Sequence, residues 1–419
     1  MSFRFWAPAL FAALAAAAPV HADAFQVTTL VESPNFTAPA GFEGTGTPLV
    51  DPNLVNPWGL SMSATSPLWV SNQVAGGAPA AGVPTATLYS GDVNGKAFAA
   101  VPLVVQFPVT AGRQGSPTGQ VFNTTTSFSV TGVTAGANPT AVTTPATFIF
   151  AGRNGAIYGW APNVLTAPGA TPNTAIPING ITPTEATAPT YTGLALVRGS
   201  TNFLFAANNN GSIDRFDGAG NQATFTYNFS SGGKTLVPFN VQELSNGKLY
   251  ATFDAPGAYG GGRGSGGAIA IIDPTTGAVL ASFVSQPGGA LNGPWGLAIA
   301  PQGFGSFGGD LLVGNFDPAA AGLNGVIDVF DPNTLAFLGM LDNPDGTPIQ
   351  IPGLWGLQFG NGTAGSPTTL FAVGGGPGEN EGVLVAIDPL PVPEPGTLGL
   401  FLVGGAGLWL LRRRGARPA

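Results

Sequence analysis

Asn56-Pro57-Trp58-Gly59-Leu60, Gly293-Pro294-Trp295-Gly296-Leu297 and Gly353-Leu354-Trp355-Gly356-Leu357 are three copies of one phrase: an indole, a residue without a side chain, then a leucine. Each copy is followed by a second apolar run, Leu68 to Asn72, Leu311 to Asn315 and Leu370 to Val373, and then by a third, Ala86 to Tyr89, Val326 to Phe330 and Val383 to Ile387. The same three-part unit opens in altered wording at Pro117-Thr118-Gly119-Gln120-Val121, Tyr191-Thr192-Gly193-Leu194 and Pro238-Phe239-Asn240-Val241. Short apolar runs closed by Asp217-Gly218, Asp273-Pro274, Asp331-Pro332 and Asp388-Pro389 read as strands ending in turns. The reference positions 59, 119, 193, 240, 296 and 356 lie 47 to 74 residues apart. That leaves room for the ~40–45 residues of a four-stranded propeller blade plus its loops. The expected fold is all-β, a single six-bladed β-propeller over residues 25–390.

The last unit contains only three strands, so Phe25-Gln26-Val27-Thr28-Thr29-Leu30-Val31 is expected to supply its fourth and close the ring, which removes two free sheet edges. The excess length falls in Gly112 to Thr147, Ala161 to Pro189 and Ala255 to Gly267, poor in charge and rich in Thr, Pro, Ala or Gly, and reads as surface loops.

Composition narrows the chemistry. Of 419 residues, 44% are hydrophobic and only 8% charged, while Gly (64) and Pro (39) make up about a quarter. There is no cysteine, and the one histidine is His21. Nucleophile pairs built on His, thiolate or imidazole zinc sites, disulfides and haem ligation are therefore excluded from a chain that begins after residue 24. Five of the 13 basic residues, Arg4, Arg412, Arg413, Arg414 and Arg417, lie at the two ends, leaving a strongly acidic body without the basic stripe that nucleic acid requires.

Both ends read as addresses. Residues 1–24 have the plan of a secretory signal, with Arg4, an apolar stretch from Phe11 to Ala18, and small residues about Val20-His21-Ala22. Residues 391–419 contain Pro393-Glu394-Pro395, an apolar run from Gly396 to Leu411, and Arg412-Arg413-Arg414. The run is shorter than the ~20 residues of a typical span, and Trp409 and the arginines extend its reach. This tail resembles the PEP-CTERM sorting signal of Gram-negative bacteria. The resemblance implies a precursor held in the inner membrane by a C-terminal transmembrane helix, cut near Pro393-Glu394-Pro395 by an exosortase, and passed to the cell surface or extracellular matrix. A permanent single-helix anchor is the alternative. The body, in Leu54-Val55-Asn56-Pro57-Trp58-Gly59-Leu60, Val237 to Gln242, Leu311 to Phe316 and Leu354 to Gly362, is similar to a family of PEP-CTERM propeller proteins distantly like NHL propellers. That likeness implies a fold and an export route without a reaction.

Propeller geometry places the starts of the first strands and the ends of the second strands on one rim. Two residue sets gather there. Asn72, Asn154, Asn208, Asp254, Asn315 and Asp317, with Glu379 and Glu381 in the last unit, are either turn caps or oxygen ligands for Ca²⁺, a cation that needs no histidine. A bound Ca²⁺ would allow a lactonase- or phosphoesterase-like hydrolase. Trp58, Trp295 and Trp355 are either wedges between blades or platforms for sugar rings. Gly260 to Gly267 links two strands and reads as a hairpin tip, not a dinucleotide loop. Asp342 with Asp345, and Glu379 with Glu381, read as solvated turn residues rather than a glycosidase pair. No motif names a catalytic residue or a certain cofactor. The expected function is that of a surface or matrix binding protein for polysaccharide or another surface protein, with the Ca²⁺-dependent hydrolase as the alternative.

Overall fold

A computed structural model describes residues 24–74, 82–92, 96–110, 113–181, 189–257, 264–316, 324–376 and 378–390. The secretory signal, the sorting tail with its apolar run, and Asp317 lie outside the described residues, as does part of the Gly260 to Gly267 stretch. The described chain is a β-propeller with a single short 3-10 turn at Gly305–Phe307.

Among the described residues six sheets have four or five strands, antiparallel except for Leu49–Val50, which pairs parallel with Phe25–Glu32, and two smaller sheets lie beside them. The first strands of the six are Pro57–Ser61, Pro117–Phe122, Tyr191–Val197, Lys234–Glu243, Pro294–Ile299 and Leu354–Phe359. In every sheet the pairing of first and second strands slips near the repeated phrase, at Pro57/Leu60, Phe150/Gly152, Tyr191/Gly193, Pro238/Asn240, Pro294/Gly296 and Leu354/Leu357. Such a bulge bends the strand and re-aims one side chain.

The first strands touch one another in a circle. A Cβ on Gly59 would fall closer than 3.0 Å to Thr118 O; one on Gly119 would strike the backbone at Gly193 and Leu194, and one on Gly193 would strike Asn240. Gly296 stands in the same relation to Trp355 O, and Gly356 to Trp58 O, which returns to the first sheet. At the remaining junction a side chain is present and bridges the gap: Asn240 Nδ2 donates to Trp295 O at 2.7 Å. The glycine of the repeated phrase is thus required by backbone approach between strands.

Buried side chains collect between neighbouring sheets. Trp69, Leu88, Phe148 and Phe150 pack the first against the second; Ile149, Ile157, Leu194 and Leu204 the second against the third; Phe205, Ile213, Val241 and Phe253 the third against the fourth. Ile269, Leu297 and Val313 continue from fourth to fifth, and Ala298, Ile327, Leu357 and Val385 from fifth to sixth. Phe25–Glu32 runs antiparallel to Val383–Pro389, from Phe25 opposite Pro389 to Glu32 opposite Val383, and places Phe25 and Val27 in the core between the fifth and sixth sheets and Val31, with Leu60 and Leu384, in the core between the sixth and the first.

One expected loop is more than a loop. Ser129–Thr134, Ala141–Pro145 and Val164–Leu165 form a three-stranded sheet, and its Val130 and Val164, with Phe128 beside it, are buried against Ile157 and Ile178. Low charge and high Thr content there reflect strand pairing, including a hydroxyl bond between Thr131 and Thr143 at 2.8 Å.

Closing the space at a backbone contact forces strands apart, so Gly356→Ala is expected to cost at least the ~1–3 kcal/mol of an overpacked core. Gly199→Ala, whose Cβ would meet only Thr201 O at 3.4 Å, should stay within about 0.5 kcal/mol. Equilibrium denaturation of the two variants beside the wild type checks the contrast; equal midpoints would refute the backbone-contact account.

Candidate functional site

The bulges turn the residue before each reference position toward the centre of the circle. In the first, fourth, fifth and sixth sheets that residue is Trp58, Phe239, Trp295 and Trp355, and in the other two it is a threonine, Thr118 and Thr192. The four aromatic rings meet. Trp58 stacks on Trp355 with centroids 3.6 Å apart, Trp295 stands edge-on to both at 5.8 Å, and Phe239 completes the group at 5.7 Å from Trp355. Trp295 Nε1 donates across the circle to Thr192 O at 2.9 Å, and Trp58 Nε1 to Asn56 Oδ1 at 3.0 Å.

This corrects the expectation of a ligand rim. Trp58, Trp295 and Trp355 are 0%, 2% and 0% exposed, so none offers a face to a sugar ring. Trp355 packs against Trp58 and Trp295 of the two neighbouring sheets while Trp58 meets Trp295 across the circle, so the indoles wedge between blades and together form a plug. Phe239 belongs with them, and aligning the phrase Pro238-Phe239-Asn240 on Pro294-Trp295-Gly296 is the signal that finds it.

The oxygen-bearing set is dispersed into local bonds. Asn72 Nδ2 donates to Thr87 Oγ1 at 2.9 Å, Asn208 Nδ2 to Asp214 Oδ2 at 3.2 Å, and Asn315 Nδ2 to Asp328 Oδ2 at 2.9 Å. Each bond joins the end of a second strand to the third strand of the same sheet. Asp254 is buried at the matching position of the fourth sheet, and Asn154 donates to Tyr158 Oη at 2.6 Å. Among the described residues no three acidic, imidazole or thiol side chains gather as they would around a metal ion. Asp342 and Asp345 serve a turn, where Asp345 Oδ1 accepts from Thr347 N at 2.9 Å.

Above the plug, at the starts of the first strands, lies a polar cluster that the sequence only half disclosed. Asn56 and Glu379 both hold left-handed backbone, with φ of 43° and 53°, and Asn56 Nδ2 donates to Glu379 Oε2 at 3.3 Å. Arg153, from the second sheet, donates to Gln73 Oε1 at 3.3 Å and stands 5.9 Å from the Trp58 ring. Burial pushes the Glu379 carboxyl up to about 7, against the pull of the Asn56 amide and the Arg153 charge. Glu381 instead accepts from Thr37 N at 3.4 Å.

Below the plug the channel is open. Gly59, Gly119, Gly356, Asn240 and Trp295 surround its narrow part, and it widens into a cavity of about 260 Å³ at the far ends of the first strands. Ser61, Gln120, Gln242 and Gln358 bring polar groups to this mouth, and Leu60, Val121, Leu194 and Leu196 the apolar wall between them. Arg198 and Glu243 face each other at the edge; burial raises the Glu243 carboxyl and the Arg198 charge offsets part of that. The open cavity is thus at the opposite end of the channel from the expected rim. Its glutamines carry no sequence signal, since Gln120 directly follows its reference position whereas Gln242 and Gln358 come two residues after theirs.

Residues 391–414 match the PEP-CTERM protein-sorting motif. The chain ends in an exosortase sorting signal. The PEP-CTERM motif marks an exported precursor anchored at its C-terminus and processed to the cell surface. Among the described residues no helix is long and apolar enough to cross a membrane, and the apolar run of the motif lies outside them. No curated protein matches the sequence. Among solved structures the chain is similar to the soluble aldose sugar dehydrogenase of Escherichia coli, at 12% identity and TM-score 0.46 over 87% of this chain and 100% of that one. It is similar also to the Neurospora crassa Pan2 WD40 domain, at 9% identity and TM-score 0.45 over 87% and 96%. The WD40 β-propeller domain of Doa1 follows at 11% identity and TM-score 0.40, over 79% and 92%.

Burial also lifts Asp328, to about 7, with the Asn315 amide opposing. A carboxyl raised above its unfolded value of 3.8 holds a proton in the fold that the unfolded chain releases. Stability from this group is present at low pH and is lost as pH rises from about 4 to about 7. Asp328→Asn, which keeps the acceptor for Asn315, should raise the melting temperature by a few degrees at pH 8 and flatten its fall between pH 5 and 8. Melts of both proteins at the two pH values check this, and parallel profiles would refute it.

Proposed function

We propose that this protein is an exported six-bladed β-propeller, closed by its N-terminal strand, that is released by an exosortase and binds an extracellular component through the open mouth of its channel. The observation that carries the reading is the position of the sorting motif, at 391–414, directly after the strand Val383–Pro389 that pairs with Phe25–Glu32. The ring is complete before the signal begins, so a cut near Pro393-Glu394-Pro395 leaves both partners of the closing pair in the body. Support for six blades comes from the circle of first-strand contacts and from the cores between successive sheets.

Binding rather than catalysis fits the residues available. The body has no histidine or cysteine, and of its four buried carboxyls among the described residues, Asp214 and Asp328 are engaged with amides or hydroxyls of their own sheets and Glu379 accepts from the Asn56 amide on the closed side of the plug, away from the mouth. The mouth, by contrast, assembles amides from separate first strands about an apolar wall. An extracellular polysaccharide is the favoured partner, because amides and hydroxyls bond neutral hydroxyl groups without a charge to match.

Two measurements test the export and the closure. Replacing Pro393 and Pro395 by Ala should leave the full-length chain in the membrane fraction of cells that otherwise release it, and undiminished release would overturn processing at that site. Deleting residues 25–31 removes four buried apolar side chains, Phe25, Val27, Leu30 and Val31, worth ~1.5–3 kcal/mol each, so the melt should fall sharply. An unchanged melt would overturn the closure.

A further inference from the structure

The sorting signal and the open mouth of the channel are on the same side of the ring. Strand register fixes this. In the sixth sheet Ile387 of Val383–Pro389 lies opposite Leu370, and Leu370 lies opposite Phe359, the residue after Gln358 of the mouth. The third strand therefore ends level with the mouth end of the first, about 10 Å outward at two strand spacings of ~4.8 Å. Glu379, on the capped side of the plug, precedes the other end of that third strand.

The point of exit is held by the closing pair. Leu390 N donates to Ala24 O at 2.8 Å, and Phe25 N donates to Asp342 O of the fifth sheet's last segment at 3.0 Å. Beyond Leu390 only residues 391–395 precede the apolar run that opens at Gly396, outside the described residues. Six steps of at most ~3.6 Å put the start of that run within about 22 Å of Leu390. Pro391, Pro393 and Pro395 make up three of the five, and the locked φ of proline restricts how such a link folds back. The exit also lies inside the outline of the ring, because Phe25–Glu32 runs outside Val383–Pro389 in the same sheet. Turning the mouth far from the bilayer would drive that outer strand into the headgroups. A folded partner of ~100 residues has a radius of gyration of about 13 Å, so its full width exceeds the gap.

We infer that the anchored precursor turns its channel mouth to the bilayer and its capped side outward, so that the exosortase cut is what opens the mouth to a macromolecular partner. The acidic body has no attraction to anionic lipid that would keep the mouth there once the link is cut. What the cut achieves rests on the mouth being the binding site, as proposed above, whereas the orientation is measured without a ligand.

The chain has no cysteine, so one introduced thiol reports one position. Ser245→Cys places it in an exposed turn beyond Glu243 of the mouth, and Asn210→Cys in an exposed turn between second and third strands on the capped side. The full-length variants are held in spheroplasts of a Gram-negative host without an exosortase. They are treated with a maleimide on a large polyethylene glycol, its rate taken relative to a small maleimide. Ser245→Cys is expected to react several-fold more slowly than Asn210→Cys. Inserting about 40 Gly/Ser residues after Leu390, a link whose ends lie ~35 Å apart on average, should remove the difference while the chain stays in the membrane. Equal rates without the insert, slower reaction of Asn210→Cys, or protection of Ser245→Cys that survives the insert would overturn the orientation. A full-length chain that fails to sediment with membranes overturns the anchor and the orientation together. Capture of extracellular matrix by the chain with the insert, and not by the chain without it, is expected to follow. Protection that behaves as expected, with no matrix bound even with the insert, overturns only the mouth as the binding site.

Discussion

Backbone approach at the centre of the ring governs the rest of this molecule. Strands from different sheets come so near one another that a single Cβ at Gly59, Gly296 or Gly356 would collide with a carbonyl of the next strand. Such an approach gives up side-chain packing at one position and recovers it at the position before, where the bulge throws an indole or phenyl ring inward. The recurring pair of an aromatic residue and a glycine is therefore one device with two halves. The glycine sets the radius of the ring, and the ring fills its own centre. Where the glycine is missing, Asn240 spans the gap with a hydrogen bond to Trp295 O, so the circle tolerates a side chain only when that side chain ties the neighbouring strands together.

A filled centre divides the channel into two unlike ends. On the side where the first strands begin, the plug is roofed by Asn56, Gln73, Arg153 and Glu379, which bond largely to one another and to the plug itself. Their left-handed residues and raised carboxyl mark a tightly determined cap. On the side where the strands end, the channel continues past the plug into the cavity lined by Ser61, Gln120, Gln242 and Gln358. At the ends of the second strands, buried amides and carboxyls pair locally, as in Asn208–Asp214 and Asn315–Asp328.

The sequence disclosed the strands well and the centre poorly, for reasons that lie in particular residues. Strand limits follow from apolar runs closed by Asp turns, and Asp273 and Asp331 do accept from the backbone N–H groups that follow them. The Trp-Gly-Leu repeats disclosed that first strands pack closely. They did not disclose the direction of the indoles, because strict alternation along a strand sends neighbours to opposite faces and a bulge breaks that count. The same slip hides the mouth, whose Ser61, Gln242 and Gln358 are two residues past their reference positions while Gln120 is one. Asn at the end of a second strand is equally at home as a turn cap or a metal ligand in sequence. Only the third-strand partner, Thr87, Asp214 or Asp328, decides how it is used.

These constraints also indicate where such a protein is free to vary. Positions occupied by the plug and its glycines answer to all sheets at once, since each touches a neighbour across the circle. The insertion between the first and second strands of the second sheet answers to one local core, and with Val164–Leu165 it has grown into a Thr-rich three-stranded sheet without disturbing the ring. The mouth residues fall between these extremes. Ser61 and Gln358 sit on strands that the ring holds rigidly, yet their side chains lie beyond the zone of backbone contact and carry no part of the closure. A rigid frame that presents replaceable side chains is what a binding site requires, and in this chain that combination occurs where the first strands emerge from the plug.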